Sequence, residues 1–259
     1  MSLNEAETLD RLVGDWKILQ LARGHRFSTD DLTTAWMATR ARPEADDLLD
    51  LGCGIGSVGY AALAKLPTTT TLTGIEAQEV SVGLARRTAG INGIAGRVNI
   101  LQGDLRDADS LLEPGRKWPL ITGSPPYIPV GKGVMSPVPQ RAACRMELRG
   151  DVFDYARIAA SRLAPGGRFA FVMAAADPRT EAAPVAAGLR VVSRLDVVFR
   201  EGRTPLIAVL VCANSDEPTQ RAPTETLVVR GADGAWTDPY LAFRESMRTP
   251  AFTAPSAET

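Results

Sequence analysis

Residues 120–127, Leu-Ile-Thr-Gly-Ser-Pro-Pro-Tyr, carry the sharpest chemical signal in the sequence. An apolar run ends there in a small hydroxyl, two prolines and an aromatic ring. Pro125 and Pro126 fix φ and withdraw two backbone donors, so neither a helix nor a sheet continues through them. What remains is a stiff loop with free carbonyls, the Ser124 hydroxyl and the Tyr127 ring at its mouth. That arrangement suits a flat group bearing an exocyclic amine. Ser124 and a carbonyl accept its N–H bonds while Tyr127 stacks on its face. On these four residues alone, a proline-stiffened turn explains the pattern equally well.

A second set of residues has the spacing of a nucleoside site. The short apolar run Leu48-Leu49-Asp50-Leu51 is broken by Gly52-Cys53-Gly54-Ile55-Gly56, after which residues 58–66 read as a helix ended by Pro67. Glycines there let the backbone turn tightly and approach a ligand, with a helix N-terminus beyond. A second strand at residues 71–75 runs into Glu76, 24 residues after Gly52. An acid at the end of the second strand is where a doubly wound sheet binds ribose hydroxyls. Strand three, residues 98–101, ends in Gly103-Asp104, where the acid either bonds an adenine amino group or caps the next turn. Leu120-Ile121 makes the fourth strand, so the proline loop leaves the same edge as the other three. Ligands of open α/β sheets bind outside the carboxyl ends of the strands. The amine clamp therefore becomes the better reading of Ser124–Tyr127.

The elements around these residues follow from pattern. Ser28, Thr29 and Asp30 are N-cap types before an apolar-rich helix, and such a terminus also accepts a ligand carboxylate. Residues 5–22 fit either a helix or, at residues 16–19, a short strand. A helix is expected over residues 80–90. Residues 128–147 show little periodicity but hold Lys132, Arg141 and Arg145 among glycines and prolines, which suggests a mobile basic flap over the site. A helix starts at Asp151 with Phe153, Ala156, Ala160 and Leu163 on one face, stopped by Pro165-Gly166-Gly167. Strand five covers residues 168–173. Residues 189–199 and 206–212 flank Glu201-Gly-Arg-Thr-Pro as an antiparallel pair closing the sheet. Residues 214–224 read as a linker, residues 227–236 as a small hairpin, and residues 249–259 as a frayed tail.

Composition bounds the rest. The 259 residues are 45% hydrophobic and 23% charged, with a net charge of −1. Residues 116–168 nevertheless hold nine Lys/Arg against three Asp/Glu, whereas residues 1–115 hold 11 against 16. The basic block begins at the proline loop, which suits an acidic partner reaching it. Cys53, Cys144 and Cys212 are odd in number and in no metal-like spacing, arguing for a reducing compartment and against a disulfide framework. His25 is the sole histidine and reads as a surface or packing residue. An acidic start without an apolar core and the absence of any membrane-length apolar run give the expectation of a cytoplasmic protein.

Taken together, Leu49 to Gly56, Gly74-Ile75-Glu76, Gly103-Asp104, Ser124 to Tyr127 and Leu163-Ala164-Pro165-Gly166-Gly167 resemble the motifs of class I S-adenosylmethionine-dependent methyltransferases. More narrowly, the chain resembles the bacterial tRNA (valine) adenine-N6 methyltransferase family. Residues 17–20, Arg26 to Asp30, Glu201 to Leu206, 227–230 and 233–237 extend that resemblance over about residues 15–245. One departure stands out: the family usually has Asn where Ser124 stands, although serine occupies this place in some DNA amino-methyltransferases.

The resemblance implies an α/β fold, a doubly wound, mostly parallel seven-stranded Rossmann-like sheet with a C-terminal antiparallel hairpin. It implies an N-terminal cap segment at 1–44, a methyltransferase domain at 45–213, and a C-terminal linker, hairpin and tail at 214–259. S-adenosyl-L-methionine is the implied cofactor. Asp50, Gly52, Cys53, Gly54 and Gly56 would shape its pocket, Glu76 would take the ribose, and Asp104 with Leu105 would face the adenine. Phe27, Ser28 and Thr29 would close over the methionine end. Ser124, Pro125, Pro126 and Tyr127 would hold the target amine, and Lys132, Arg141, Arg145 and Arg149 would contact RNA phosphates, with tRNA the expected partner and no metal involved. The rival activity is protein glutamine N5-methylation, whose enzymes carry a sizeable N-terminal helical domain, whereas 49 residues precede Asp50 in this sequence. Another amino-methyltransferase, or from another class a nucleotide-binding dehydrogenase or non-catalytic nucleotide- or RNA-binding protein, shares the glycine loop. Binding of NAD but not S-adenosylmethionine would select that class.

Overall fold

The computed structural model describes residues 6–249. It opens with an antiparallel ribbon, β1 (Glu7–Arg11) and β2 (Lys17–Leu21), in which Leu9 pairs with Leu19. Residues 17–20 are therefore strand. Ile18, Leu19 and Gln20 are all buried in it. Helices and strands then alternate: α1 (Thr29–Ala41), β3 (Asp47–Leu51), α2 (Ser57–Leu63), β4 (Thr71–Glu76), α3 (Glu79–Ile91), β5 (Val98–Gln102), the short α4 (Ala108–Leu111) and β6 (Trp118–Gly123). After them come α5 (Pro139–Arg145), α6 (Val152–Arg162), β7 (Leu163–Ala174), α7 (Arg179–Ala186), β8 (Leu189–Val198), β9 (Ile207–Asn214), β10 (Glu225–Val228) and α8 (Asp238–Ser246).

The main sheet has the order β10-β8-β9-β7-β6-β3-β4-β5. Among its pairings only those of β9, with β7 and β8, are antiparallel. The chain winds outward from β3 to β5, then returns to lay β6 on the other side of β3. That reversal is the switch point of a doubly wound sheet, and it opens a crevice at the carboxyl ends of β3 and β6. Period-two alternation sends β3 to both layers. Leu48 joins the core shared with Ala35, Tyr60 and Phe243, whereas Leu49 and Leu51 join the opposite core of Tyr155, Ala159 and Phe171.

The expected doubly wound fold is present, with differences at its edges. The sheet has eight strands because residues 225–228 do not form an independent hairpin. They pair in parallel with β8, and the expected small hairpin follows them, with Arg230 bridging Trp236, Gly231 N–H donating to the Ala235 carbonyl at 2.9 Å and Thr237 N–H to the Val229 carbonyl at 3.2 Å. Buried Leu227 explains the choice: docking on β8 covers it, which a free hairpin would leave exposed. Residues 128–147 are not a structureless flap. They contain α5, and Ile128 pairs with Arg145 and Glu147 through N–H···O bonds of 3.1 and 3.0 Å. On α6 the buried face is Val152, Tyr155, Ala156 and Ala159, while Phe153 is exposed and Ala160 half-buried. The helix also ends earlier than its glycines suggested, since β7 begins at Leu163. The short α4, α7 and α8 had no counterpart in the sequence pattern. The expected tail lies, from residue 250, outside the described residues. Among the described residues no helix is long and apolar enough to cross a membrane.

Candidate active site

The carboxyl ends of β3, β4, β5 and β6 surround one cavity of about 770 Å³. That is within the range of pockets that enclose nucleoside-sized ligands. Its floor is the loop after β3. Gly52 has φ +59°, and a Cβ there would lie 2.0 Å from Tyr155 Oη, so only glycine fits. Gly54 has φ +55° with open space where its Cβ would stand, which leaves its backbone free to meet a ligand.

Three buried carboxylates hold this floor in shape. Asp50 accepts from the Thr122 hydroxyl at 2.8 Å and from Gly59 N–H at 3.0 Å, tying β3 to β6 and α2. Burial pushes its carboxyl up to about 7, against those two hydrogen bonds. Glu76, at the end of β4, accepts from Gly54 N–H at 3.0 Å and Gln78 N–H at 2.7 Å. Burial raises its carboxyl as well, opposed by these N–H bonds and by the nearby charge of Arg149. Asp31 accepts from the Ser57 hydroxyl at 2.8 Å and from Ser28 N–H at 2.7 Å, joining the heads of α1 and α2. Its carboxyl is raised by burial, with the His25 charge acting the other way.

The loop after β6 forms the adjoining wall. Ser124, Pro125, Pro126 and Tyr127 all line the cavity. Among the described residues the Ser124 hydroxyl has no hydrogen-bond partner, so its acceptor and donor positions stay free. Tyr127 Oη donates to Asp30 Oδ2 at 2.6 Å. Above this wall lies α5. Its buried Gln140 accepts His25 N–H at 2.7 Å and donates to Ser81 Oγ at 3.3 Å, fastening the helix over the cavity from two sides. Arg141, Arg145 and Arg149 recur every four residues, are exposed, and line the mouth.

The basic block of residues 116–168 divides cleanly. Arg116, Arg157, Arg162 and Arg168 form ion pairs with Asp47, Asp154, Asp109 and Glu217, and Lys117 donates to the Ser161 carbonyl. Among the described residues Lys132, Arg141, Arg145 and Arg149 have no such partner. These four cations are what the charge asymmetry leaves over.

Most of the residues singled out in the sequence meet in this cavity: Phe27, Ser28, Asp50, Gly52, Cys53, Gly54, Glu76, Asp104, Leu105, the Ser124–Tyr127 loop and the three arginines. Thr29, Gly56 and Lys132 do not line it. Thr29 Oγ1 is 3.4 Å from Tyr240 Oη of α8. Gly56, at φ +88°, packs against the Tyr60 ring below the floor. Lys132 is exposed in the turn that follows Pro129. Asp104 takes the capping alternative, accepting Arg106 N–H and its guanidinium at 2.6–2.9 Å, and that pairing holds its carboxyl below the usual range. His25, read as a surface or packing residue, stands on the cavity wall, as do Asp30, Asp31, Gln78, Cys144 and Tyr155. The Asp30-Asp31 pair had a visible signal, two acids at a helix start, which capping alone seemed to explain. Tyr155 had none, since it reads as one apolar residue of a helix.

Comparison with known proteins finds methyltransferases. Residues 26–135 match the family described as methyltransferase small domain. A release factor glutamine methyltransferase of Geobacter sulfurreducens is 32% identical over 139 residues, covering 50% of this chain and 46% of that protein. One from Aliivibrio fischeri is 36% identical over 86 residues, covering 33% of this chain and 28% of that protein. The chain thus spans less than half the length of these curated relatives. Among solved structures, a predicted O-methyltransferase from Agrobacterium tumefaciens superposes with a TM-score of 0.60 at 18% identity, covering 87% of this chain and all of that one. The fold is that of the class I methyltransferases.

Proposed function

We propose that this protein is an S-adenosylmethionine-dependent N-methyltransferase whose target is an exocyclic amine, adenine N6 in a tRNA, in the cytoplasm. The observation that carries the proposal is the meeting of the Ser124–Tyr127 loop and the Gly52–Gly54 loop in one cavity, at the ends of adjacent strands. The residues present fit the cofactor. Gly54 offers an open backbone approach, Glu76 stands where a ribose diol would bond, and Leu105 with Asp104 closes the adenine side. Phe27 and Ser28 cover the methionine end. Bound there, S-adenosylmethionine would supply a methyl group on a sulfonium leaving group.

The chain's own contribution is orientation. The Ser124 hydroxyl and the Pro125 carbonyl accept hydrogen bonds from the two amine N–H groups, which turns the nitrogen lone pair toward the cofactor; the one proton released on methylation passes to solvent. Tyr127 gives the flat group a face to lie on. No strong base is required, because a neutral sulfur leaves; positioning supplies most of the acceleration. A base in a folded loop must be unstacked to reach this depth, at a cost of a few kcal/mol. The unpaired Arg141, Arg145 and Arg149, with Lys132 further out, offset that cost through phosphates.

A second reading, methylation of a protein glutamine, draws on the two glutamine methyltransferases among the relatives. An amide is also a flat amine. The experiment that separates the readings incubates the protein with methyl-labelled S-adenosylmethionine and either total bacterial RNA or total protein. N6-methyladenosine in the tRNA fraction is the expected product. Label in glutamine would replace the proposal with the second reading, and NAD binding without S-adenosylmethionine binding would remove both.

A further inference from the structure

The proposed reaction leaves one contact in the cavity unexplained, the hydrogen bond from Tyr127 Oη to Asp30 Oδ2 at 2.6 Å. Its partners are 97 residues apart. Asp30 lies in the first turn of α1, immediately before Asp31, whose carboxylate is committed to Ser57 and Ser28. Two neighbouring acids on one helical turn thus reach two different loops. Asp31 holds the head of α2 behind the glycine loop, and Asp30 holds the target loop.

Tyr127 needs such a partner. Pro125 and Pro126 stiffen the backbone that delivers it, yet its side chain retains rotation about χ1 and χ2. A ring that serves as a wall for a flat target must be set in one orientation before the target arrives. The carboxylate of Asp30 supplies a charge-assisted acceptor at the far end of the ring, where it limits both torsions. Burial, followed by the Asp30 and Asp31 charges, keeps the phenol protonated against the opposing charge of Arg145, so it remains a donor.

We infer that Asp30 is a positioning residue: through its bond to Tyr127 Oη it sets the ring as the wall of the target site. The inference rests on the amine-transfer reading for its kinetic consequence only. Asp30 also lines the cavity, so direct contact with the cofactor is the competing explanation.

The test uses the full chain labelled with [ζ-13C]tyrosine, which has four tyrosines; the Tyr127 resonance is assigned with Tyr127→Phe. In Asp30→Ala that resonance should move toward free tyrosine while the other three hold, and the affinity for sinefungin should stay within about twofold. With an unmodified tRNA transcript, Asp30→Ala and Tyr127→Phe should each lower kcat/KM about tenfold, and the double variant should lose no more than about twofold beyond either. Asp30→Asn, whose carbonyl still accepts, should recover most of the loss. An unmoved Tyr127 resonance, multiplicative losses in the double variant, or sinefungin binding weakened tenfold would each overturn the inference. Should the wild-type chain transfer no methyl group to RNA, the proposed substrate fails alone, and the resonance and sinefungin measurements still decide the role of Asp30.

Discussion

At the floor of the cavity three carboxylates are buried, and the fold itself supplies their hydrogen-bond donors; at the rim four cations stand exposed, without an ion pair among the described residues. Asp50, Glu76 and Asp31 accept from Gly59, Gly54, Gln78, Ser28, Ser57 and Thr122, so all three tie the floor together from within the fold. These hydrogen bonds offset part of the cost of their burial, which still raises all three carboxyls. Lys132, Arg141, Arg145 and Arg149 show the opposite arrangement. Exposed and unpaired, they keep their charge for a ligand that brings its own anions. A preformed pocket therefore adjoins a surface whose free cations suit the acidic partner proposed above.

The largest expected effect breaks the floor. Gly52→Ala forces a left-handed φ on a side chain, about 1–2 kcal/mol by itself, and drives its Cβ into Tyr155. Sinefungin binding measured by calorimetry should vanish and the Tm should fall. A variant that binds normally would show that Tyr155 yields. The next effect probes the wall between floor and rim. Ser124→Ala should lower kcat about tenfold to a hundredfold with sinefungin affinity unchanged, because the variant removes an amine acceptor and leaves the cofactor pocket intact. Ser124→Asn should keep activity, and equal loss in both variants would remove the acceptor role.

Smaller changes are expected at the rim. Arg141→Gln and Arg145→Gln should each raise the KM for a tRNA transcript severalfold at about 150 mM salt. Each should also lower the slope of log KM against log salt by about one for every phosphate left without its cation. Lys132→Gln, off the cavity wall, should do less. Identical RNA affinity at low and high salt would contradict the contrast drawn between floor and rim.

A separate effect, on stability and not on activity, is a change in pH dependence. Folding raises the Asp50 carboxyl from 3.8 to about 7, so between those values the folded chain holds a proton that the unfolded chain has released. Its contribution to stability is fully present below about pH 4 and is lost as the pH rises through about 7. The amide of Asp50→Asn can pair with both Thr122 and Gly59, so this variant should flatten the stability curve between about pH 4 and 7 without unfolding the protein. Urea midpoints across that range read the effect, and an unchanged slope would clear Asp50 of it.

Much of the floor was legible in the sequence because its determinants are local. A strand, a glycine loop and a helix within twenty residues leave few alternative conformations, and Asp50, Gly52, Gly54, Glu76 and the proline loop all stand where their spacing suggested. The rim was less legible. Residues 128–147 contain α5, yet its anchor is Gln140, whose partners His25 and Ser81 are 115 and 59 residues away. Residues 225–228 found a strand neighbour in β8 instead of a local hairpin for the same reason, the burial of Leu227 against a distant surface.

The sequence by itself determined the run β3-α2-β4-α3-β5, the glycine loop, and the stiffness of Ser124–Tyr127, since proline and glycine restrict or free φ wherever they stand. Only the tertiary structure decided which charges remain free. Nine basic residues in one block look alike in the chain, and folding satisfied five of them, Arg157 with Asp154 on its own helix and the other four with acids or a carbonyl distant in sequence. It likewise decided that Asp30 would meet Tyr127. Side-chain pairing depends on which elements the winding of the sheet brings together, and that is a property of the whole fold.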